Sequence, residues 1–97
     1  MDQKVYRNLL AVPKGKVTTY GELAKAVGLE NGQRVIGQIM NRNPFPVVIP
    51  CHRVVKSDGK IGGYYYGEKV KTKMLSHEGI KITDGKIKDW EKTVFRF

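Results

Sequence analysis

Two short amphipathic segments joined by a glycine-bounded turn constrain the fold of this chain more than any other feature. Thr19 and Glu22 have the spacing of a capping box, in which each side chain accepts a hydrogen bond from a free backbone N–H at a helix start. They predict a helix that Gly28 ends. After a short turn, Asn31 is placed to cap a second helix, which we expect to run to about residue 41.

The second of these helices has an apolar face and a polar face. Its apolar side chains are expected to face the core: Val35, Ile36, Ile39 and Met40. The opposite stripe holds a cation, a glycine and two amides: Arg34, Gly37, Gln38 and Asn41. Cations and amides are the groups that bind phosphates and base edges. The pattern is typical of a helix-turn-helix with a DNA-binding face, and the alternative is an ordinary solvated face. The glycine inside the helix predicts close approach of another backbone.

The charge of the chain favours a polyanionic partner. Lys and Arg number 18 against 9 Asp and Glu among 97 residues, and the sequence pI is about 9.8. Such an excess on a small domain is typical of nucleic-acid binding, although lysines also serve solubility. No apolar run is long enough to span a membrane, and no signal peptide is evident. We therefore expect no membrane partner and an intracellular location, either cytoplasmic with the nucleoid or nuclear.

The single cysteine, Cys51, lies between Pro50 and His52. A thiolate is a strong nucleophile that accepts alkyl and acyl groups, and neighbouring imidazole and guanidinium groups favour it. The alternative is an inert, buried cysteine. Adjacent side chains do not face each other in regular structure, so activation by His52 requires a turn or a bridging water. One cysteine forms no internal disulfide, and no Cys and His ligands have metal-site spacing, so we expect no metal and no cofactor.

The remaining segments predict a mostly helical α+β domain. Residues 2–12 read as a first helix, and Ser57-Asp58-Gly59 reads as the turn of a hairpin over residues 53–62, which would form a wing. A glycine- and tyrosine-rich loop follows. Residues 68–77 then read as a helix with Gly79 as its C-cap. Its expected inward side chains are Val70, Met74 and Leu75, and its expected outward ones are Lys69, Lys71 and Lys73.

After that helix, residues 80–87 predict a second hairpin with an Asp84-Gly85 turn. The spaced apolar residues of the tail from Trp90 to Phe97 predict that it docks on the core. The whole chain is thus expected to form one winged helix-turn-helix domain over residues 1–97.

Several motifs resemble, in chain order, those of the O6-alkylguanine-DNA alkyltransferases. The active-site segment of that family is similar to Asn43-Pro44, Pro50-Cys51-His52-Arg53-Val54 and Gly62-Gly63-Tyr64. Its DNA-binding segment is similar to Val17-Thr18-Thr19-Tyr20-Gly21-Glu22-Leu23-Ala24 and Arg34-Val35-Ile36-Gly37. Its closing motif resembles His77-Glu78-Gly79. The resemblance runs from about Val5 to Gly79.

The resemblance implies direct reversal of DNA damage by base flipping. In the family, a cysteine attacks the O6-alkyl carbon of guanine and keeps the alkyl group, so each protein acts once. By position, Cys51 would be the acceptor. His52 would take the thiol proton through a water, Glu78 would orient His52, and Asn43 would support the active-site turn.

The same resemblance implies a set of DNA contacts. Tyr20 would press on a phosphate and donate a hydrogen bond to the guanine ring, and Arg34 would fill the vacated stack. The carbonyls of the cysteine and of Val54 would accept from the guanine amino group. Tyr64 would close the pocket, with the Tyr65 N–H near O6. The implied partner is double-stranded DNA containing O6-alkylguanine, bound by a monomer, and a repair-protein partner is left open.

Three departures from the family pattern stand out. The chain begins at the DNA-binding domain, without the family's usual N-terminal domain. Tyr65 and Tyr66 stand where the family has small residues, which predicts a narrower pocket. The length and the tail resemble alkyltransferase-like proteins, in which tryptophan replaces the cysteine.

The sequence therefore predicts single-turnover transfer of an alkyl group, chiefly methyl, to Cys51. The first alternative is a lesion-binding sensor that does not transfer the group. The second is a plain winged-helix DNA-binding protein with an inert cysteine. An unrelated thiol hydrolase ranks lowest, because the sequence has no separate oxyanion-hole motif.

Overall fold

A computed structural model describes residues 2–43, 49–64 and 66–97 of the chain. The helices are α1 (Asp2–Leu10), α2 (Tyr20–Ala26), α3 (Gln33–Asn41), α4 (Glu68–His77) and α5 (Trp90–Thr93). The strands are β1 (Thr18–Thr19), β2 (Val54–Val55), β3 (Ile82–Thr83) and β4 (Lys86–Ile87), and a 3₁₀ turn spans Cys51–Arg53. The predicted class, a mostly helical α+β domain with a helix-turn-helix, is confirmed. In the part of the chain that is described, no helix is both long and apolar enough to cross a membrane.

The first three helices enclose one apolar core. Its fully buried side chains include Val5, Leu9, Leu23, Ile36 and Ile39. Helix α1 ends two residues earlier than predicted, since the N–H groups of residues 11 and 12 bond to carbonyls three residues back and tighten the last turn.

The helix-turn-helix begins as the sequence predicts but differs at its second start. The Thr19 hydroxyl accepts from the Glu22 N–H at 2.9 Å, which confirms the cap of α2. The predicted Asn31 cap is wrong: Gly32 is the N-cap of α3, without a side-chain bond, and Asn31 lies in the turn at φ 51°. Val35 is 41% exposed instead of buried, because Ile36, Ile39 and Met40 already fill the inward face.

The predicted wing hairpin forms at its turn but not along its arms. The Lys56 N–H donates to the Lys60 carbonyl at 3.0 Å, and Gly59 adopts φ 86°, as a three-residue hairpin loop requires. Beyond that pair the arms separate. β2 lies parallel to β1, with Thr18 opposite Val54, so the wing is attached directly to the start of α2.

The C-terminal segment packs against the core, as predicted, and also against the wing. β3 and β4 form the expected antiparallel hairpin, with Asp84 at φ 52° and Gly85 at φ 74° in its turn. The tail is tied to Val17, whose N–H donates to the Thr93 carbonyl at 3.0 Å and whose carbonyl accepts from the Phe95 N–H at 2.6 Å.

Helix α4 has the predicted bounds, but one of its lysines points inward. Gly79 follows it at φ 90°, and the Ile80 N–H donates to the Leu75 carbonyl at 3.1 Å, as in a glycine-terminated helix. Lys71, predicted to face solvent, is 0% exposed, while Val70, predicted to face the core, is 40% exposed. The ammonium can be buried because two carbonyls accept from it: Lys71 Nζ lies 2.6 Å from Val54 O and 3.0 Å from Gly63 O.

Lys71→Ala should destabilise the fold far more than Lys73→Ala. The first substitution leaves two carbonyls without their donor and empties a packed volume, which costs about 2–4 kcal/mol of unfolding free energy. Lys73 is exposed on the same helix, so its loss should stay within about 0.5 kcal/mol. Urea unfolding followed by circular dichroism measures both values, and equal midpoints for the two variants would contradict the buried position of Lys71.

Candidate active site

Cys51 begins the 3₁₀ turn and faces a cavity beside the helix-turn-helix. The turn supplies the bend that the adjacent Cys51 and His52 require. Cys51 is 5% exposed, and the cavity has a volume of about 470 Å³. Its lining combines the thiol with the polar stripe of α3 and two tyrosines: Tyr20, Arg34, Gly37, Gln38, Met40, Asn41, Cys51, Gly63 and Tyr64. Because Cys51 is part of this lining, a molecular group that enters the cavity can reach the thiol.

Burial sets the protonation state of the thiol. It raises the pKa of Cys51, and a hydrogen bond with Asn43 and the positive charge of Lys71 act against it without reversing it. Asn43 is itself held by a bond from its Nδ2 to the Ile49 carbonyl at 3.0 Å. The resting cysteine is therefore a thiol, and a nucleophilic reaction at this site needs a base.

His52 lies in a hydrogen-bonded group with Glu78 and Arg53. His52 Nε2 is 3.0 Å from Glu78 Oε2, and the Arg53 guanidinium donates to both carboxylate oxygens at 2.9 and 2.8 Å. Arg53 also donates to the Val12 carbonyl at 3.0 Å. A single carboxylate from the end of α4 thus orients the imidazole that follows the cysteine.

The imidazole has the tautomer and charge of a base. Since the Glu78 carboxylate accepts at Nε2, that nitrogen has the hydrogen and Nδ1 is the free lone pair. Burial lowers the pKa of His52, and Glu78 opposes this without overcoming it, so the ring is neutral near pH 7. His52 Nδ1 is buried and has no hydrogen-bond partner among the residues that the structure describes.

Glu78, unlike Cys51 and His52, is charged near pH 7. Burial acts to raise its pKa, but the hydrogen bonds from Arg53 and His52 outweigh that effect, and the pKa of Glu78 is lowered. The carboxylate can therefore stabilise positive charge on His52 when the ring accepts a proton.

Lys71 is a site residue that the helical pattern missed. Its ammonium joins the Val54 carbonyl on β2 to the Gly63 carbonyl of the loop that borders the cavity. Burial lowers the pKa of Lys71 to about 8. Helical periodicity predicts that Lys71 faces solvent. Its burial could not be predicted from the sequence, because the carbonyls that accept from it are distant along the chain.

Two tyrosines line the cavity with their hydroxyls protonated. Burial raises the pKa of Tyr64 to about 12, and burial followed by the nearby thiol raises the pKa of Tyr20. The Tyr64 ring meets His52 edge-on at a centroid distance of 6.3 Å. Tyr66 does not line this cavity; it is 52% exposed and contacts Tyr64 at 5.7 Å. The prediction that Tyr66 narrows the cavity is therefore wrong, since the Tyr66 side chain is not part of the cavity wall.

The polar stripe of α3 borders the same opening. Arg34, Gln38 and Asn41 are exposed. A Cβ placed on Gly37 would meet no atom within 4 Å, so within the described residues no backbone approaches it closely. A second cavity of about 470 Å³ adjoins the first, shares Tyr20, Arg34, Gly37 and Gly63 with it, and reaches the wing.

Some predicted features lie outside the described residues. Tyr65, with the N–H expected near O6, is one of them, and residues 44–48 before the cysteine are the others. The Val54 carbonyl already accepts from Lys71, and the Cys51 carbonyl from the Val54 N–H, so each keeps one lone pair for a ligand. Within residues 2–43, 49–64 and 66–97, no group of three or more His, Cys, Asp or Glu side chains could hold a metal ion.

The fold and the site together define a winged helix-turn-helix domain, in which one cavity joins Cys51 to the polar stripe of α3 and His52 is hydrogen-bonded to Glu78. Comparison with known families gives the same result. Residues 1–80 match the family described as "6-O-methylguanine DNA methyltransferase, DNA binding domain". The chain belongs to this family.

One curated relative and two solved structures illustrate the likeness. The chain is 52% identical over 76 residues to a methylated-DNA–protein-cysteine methyltransferase of Pyrobaculum aerophilum, covering 78% of this chain and 50% of the relative. It thus spans about half the length of that protein. S. pombe Atl1, solved with damaged DNA containing O6-carboxymethylguanine, superposes with a TM-score of 0.86 at 32% identity, over 99% of this chain and 94% of Atl1. Mycobacterium tuberculosis OGT, solved with DNA, gives 0.78 at 36% identity, over 80% and 48%.

Glu78→Gln should remove part of the acid sensitivity of the fold. The folded pKa of Glu78 lies below its usual 4.5, so its contribution to stability is present above about pH 4.5 and is lost as the pH falls through the folded value. Glutamine does not titrate. The variant should be less stable than the parent chain at about pH 7, and the gap should shrink towards about pH 3.

Urea unfolding at a series of pH values measures that gap directly. A stability difference that is the same at both ends of the series would mean that the Glu78 charge is not stabilised by Arg53 and His52.

Proposed function

We propose that this chain repairs alkylated DNA by moving the alkyl group from O6 of guanine to Cys51, once per protein molecule. One observation supports this most strongly. Cys51, which is the only thiol of the chain, lines the same cavity as Arg34 of α3. Relatives of this chain are named methylated-DNA–protein-cysteine methyltransferases, a name that describes that reaction.

The chemistry follows from the protonation states of the site. His52 Nδ1 takes the proton of the Cys51 thiol, through a bridging water, and Glu78 stabilises the resulting imidazolium. The thiolate sulfur then attacks the alkyl carbon. A sulfur–carbon bond forms while the carbon–O6 bond breaks, the electron pair stays on guanine, and guanine takes up a proton. The thioether cannot ionise, so the protein does not return to its starting state.

The cavity lining supplies the remaining roles. The Tyr20 hydroxyl, protonated at neutral pH, donates to the guanine ring and stabilises the departing electron pair. Arg34, exposed on α3, fills the space that the flipped base leaves, because its planar cation both stacks and donates hydrogen bonds. Gln38 and Asn41 contact the duplex beside it, and Gly37 leaves room for a strand. Tyr64 closes the cavity over the base. The remaining lone pairs of the Cys51 and Val54 carbonyls accept from the guanine amino group.

The partner is double-stranded DNA that contains O6-alkylguanine. The protein binds this partner as a monomer, with residues 1–97 acting as one domain. It works in the cellular compartment that contains the DNA.

The second candidate is a lesion sensor that binds O6-alkylguanine without transfer. The superposition with Atl1 over nearly the whole of both chains favours it. The presence of Cys51, followed by a histidine that is hydrogen-bonded to the Glu78 carboxylate, favours transfer.

Intact-mass measurement after incubation with a duplex containing one O6-methylguanine separates the two candidates. The chain should gain one methyl group, located by peptide mapping on Cys51, and no second methyl with excess DNA. Cys51→Ser should bind the same duplex and keep its mass. Tight binding by the parent chain with an unchanged mass would support the sensor and contradict transfer.

A further inference from the structure

The C-terminal hairpin pairs with the loop of the wing. The Ile61 N–H donates to the Gly85 carbonyl at 3.0 Å, and the Ile87 N–H donates to the Gly59 carbonyl at 2.9 Å. Between these bonds, Lys60 and Lys86 form an antiparallel bridge. The wing loop therefore has β4 as a neighbour, and β4 lies beyond the residues that match the family.

This pairing lines up three exposed lysines, which we call the lysine row: Lys56, Lys60 and Lys86. Lys60 is hydrogen-bonded across the loop to Lys56 and is bridged on its other side to Lys86. Directly opposed residues on neighbouring strands place their side chains on one face, where like charges repel. Three exposed ammonium groups that line one cavity form a basic patch, which favours a polyanionic partner.

Three carboxylates lie near the row and reduce its net charge. Asp58 approaches Lys60 Nζ at 3.9 Å with both side chains more than half exposed, and such a pair contributes little and is easily exchanged. Glu68 and Asp84 line the same cavity as the row. A sugar-phosphate backbone offers negative charges at several points along the row, so it can displace an exposed pair of this kind.

The row is continuous with the candidate DNA surface. Lys56 lines the cavity that contains Tyr20 and Arg34, and it also lines the cavity that contains Lys60 and Lys86. A duplex bound at Arg34 would thus extend past the wing loop towards β4.

We propose that the lysine row is a second DNA-contact site, which binds backbone phosphates of the duplex flanking the flipped nucleotide, and that the C-terminal hairpin serves to complete it. This inference rests on the proposed function, because it takes duplex DNA as the partner. It adds a contact that carries no sequence information and does not touch the reacting atoms.

The salt dependence of binding tests the row. Each phosphate contact that is lost lowers the slope of log K against log salt by about 0.9. The double variant Lys60→Gln/Lys86→Gln should therefore bind an O6-methylguanine duplex with a slope about 1.8 smaller than the parent chain. Fluorescence anisotropy with a labelled duplex, over a range of salt concentrations, gives both slopes.

Lys14→Gln/Lys73→Gln is the matched control. It removes the same charge from two exposed lysines that line a separate cavity with His77 and Glu78, and its slope should equal that of the parent chain. Equal slopes for all three proteins would overturn the proposal, as would an equal reduction in both variants, since that would reflect net charge alone.

Methyl transfer is measured on the same samples at saturating DNA. At saturating DNA the Lys60→Gln/Lys86→Gln variant should still gain the methyl group, because no member of the row lines the cavity of Cys51. Failure of the proposed function would appear as no methyl gain by the parent chain. Failure of the row would appear as equal slopes in proteins that all transfer the methyl group.

Discussion

The rest of the site depends on the hydrogen bonds of the Glu78 carboxylate, which accepts from His52 and Arg53 at the same time. His52 belongs to the 3₁₀ turn, Glu78 follows α4, and Arg53 reaches on to the carbonyl of Val12 after α1. One anion therefore connects three parts of the chain that are far apart in sequence. It also sets the tautomer of the imidazole, since a carboxylate at Nε2 leaves Nδ1 as the acceptor.

The two groups between which a proton is proposed to move, Cys51 and His52, are uncharged at rest. Burial keeps Cys51 protonated and His52 neutral, and the charges already present, on Glu78 and Lys71, are each held by hydrogen bonds. In the proposed reaction a proton moves from the thiol to the imidazole, which puts the thiolate in the field of Lys71 and the imidazolium against Glu78. Oriented charges that stabilise an ion pair only as it forms are the usual source of catalysis in a buried site. On this proposal, a thiol with a raised pKa can react because its ion pair with the imidazole is stabilised.

The sequence predicted the local features and missed those that depend on distant partners. The Thr19 cap of α2 and the Asp84 turn formed as expected because their signals lie within four residues. The inward position of Lys71 could not be predicted, since helical periodicity places it with exposed lysines and only the folded carbonyls of Val54 and Gly63 reverse that. The same holds for the pairing of Lys60 with Lys86. Motif resemblance identified Cys51, His52 and Glu78, but their hydrogen bonds required the structure.

A crystal structure of the Cys51→Ser variant bound to a duplex with one O6-methylguanine tests the central claim most directly. We expect the damaged base to be turned out of the stack into the cavity beside Tyr64, with its methyl group facing residue 51 and Arg34 in the space that it left. A damaged base that remains stacked in the duplex while the protein is bound would contradict base flipping and transfer to Cys51.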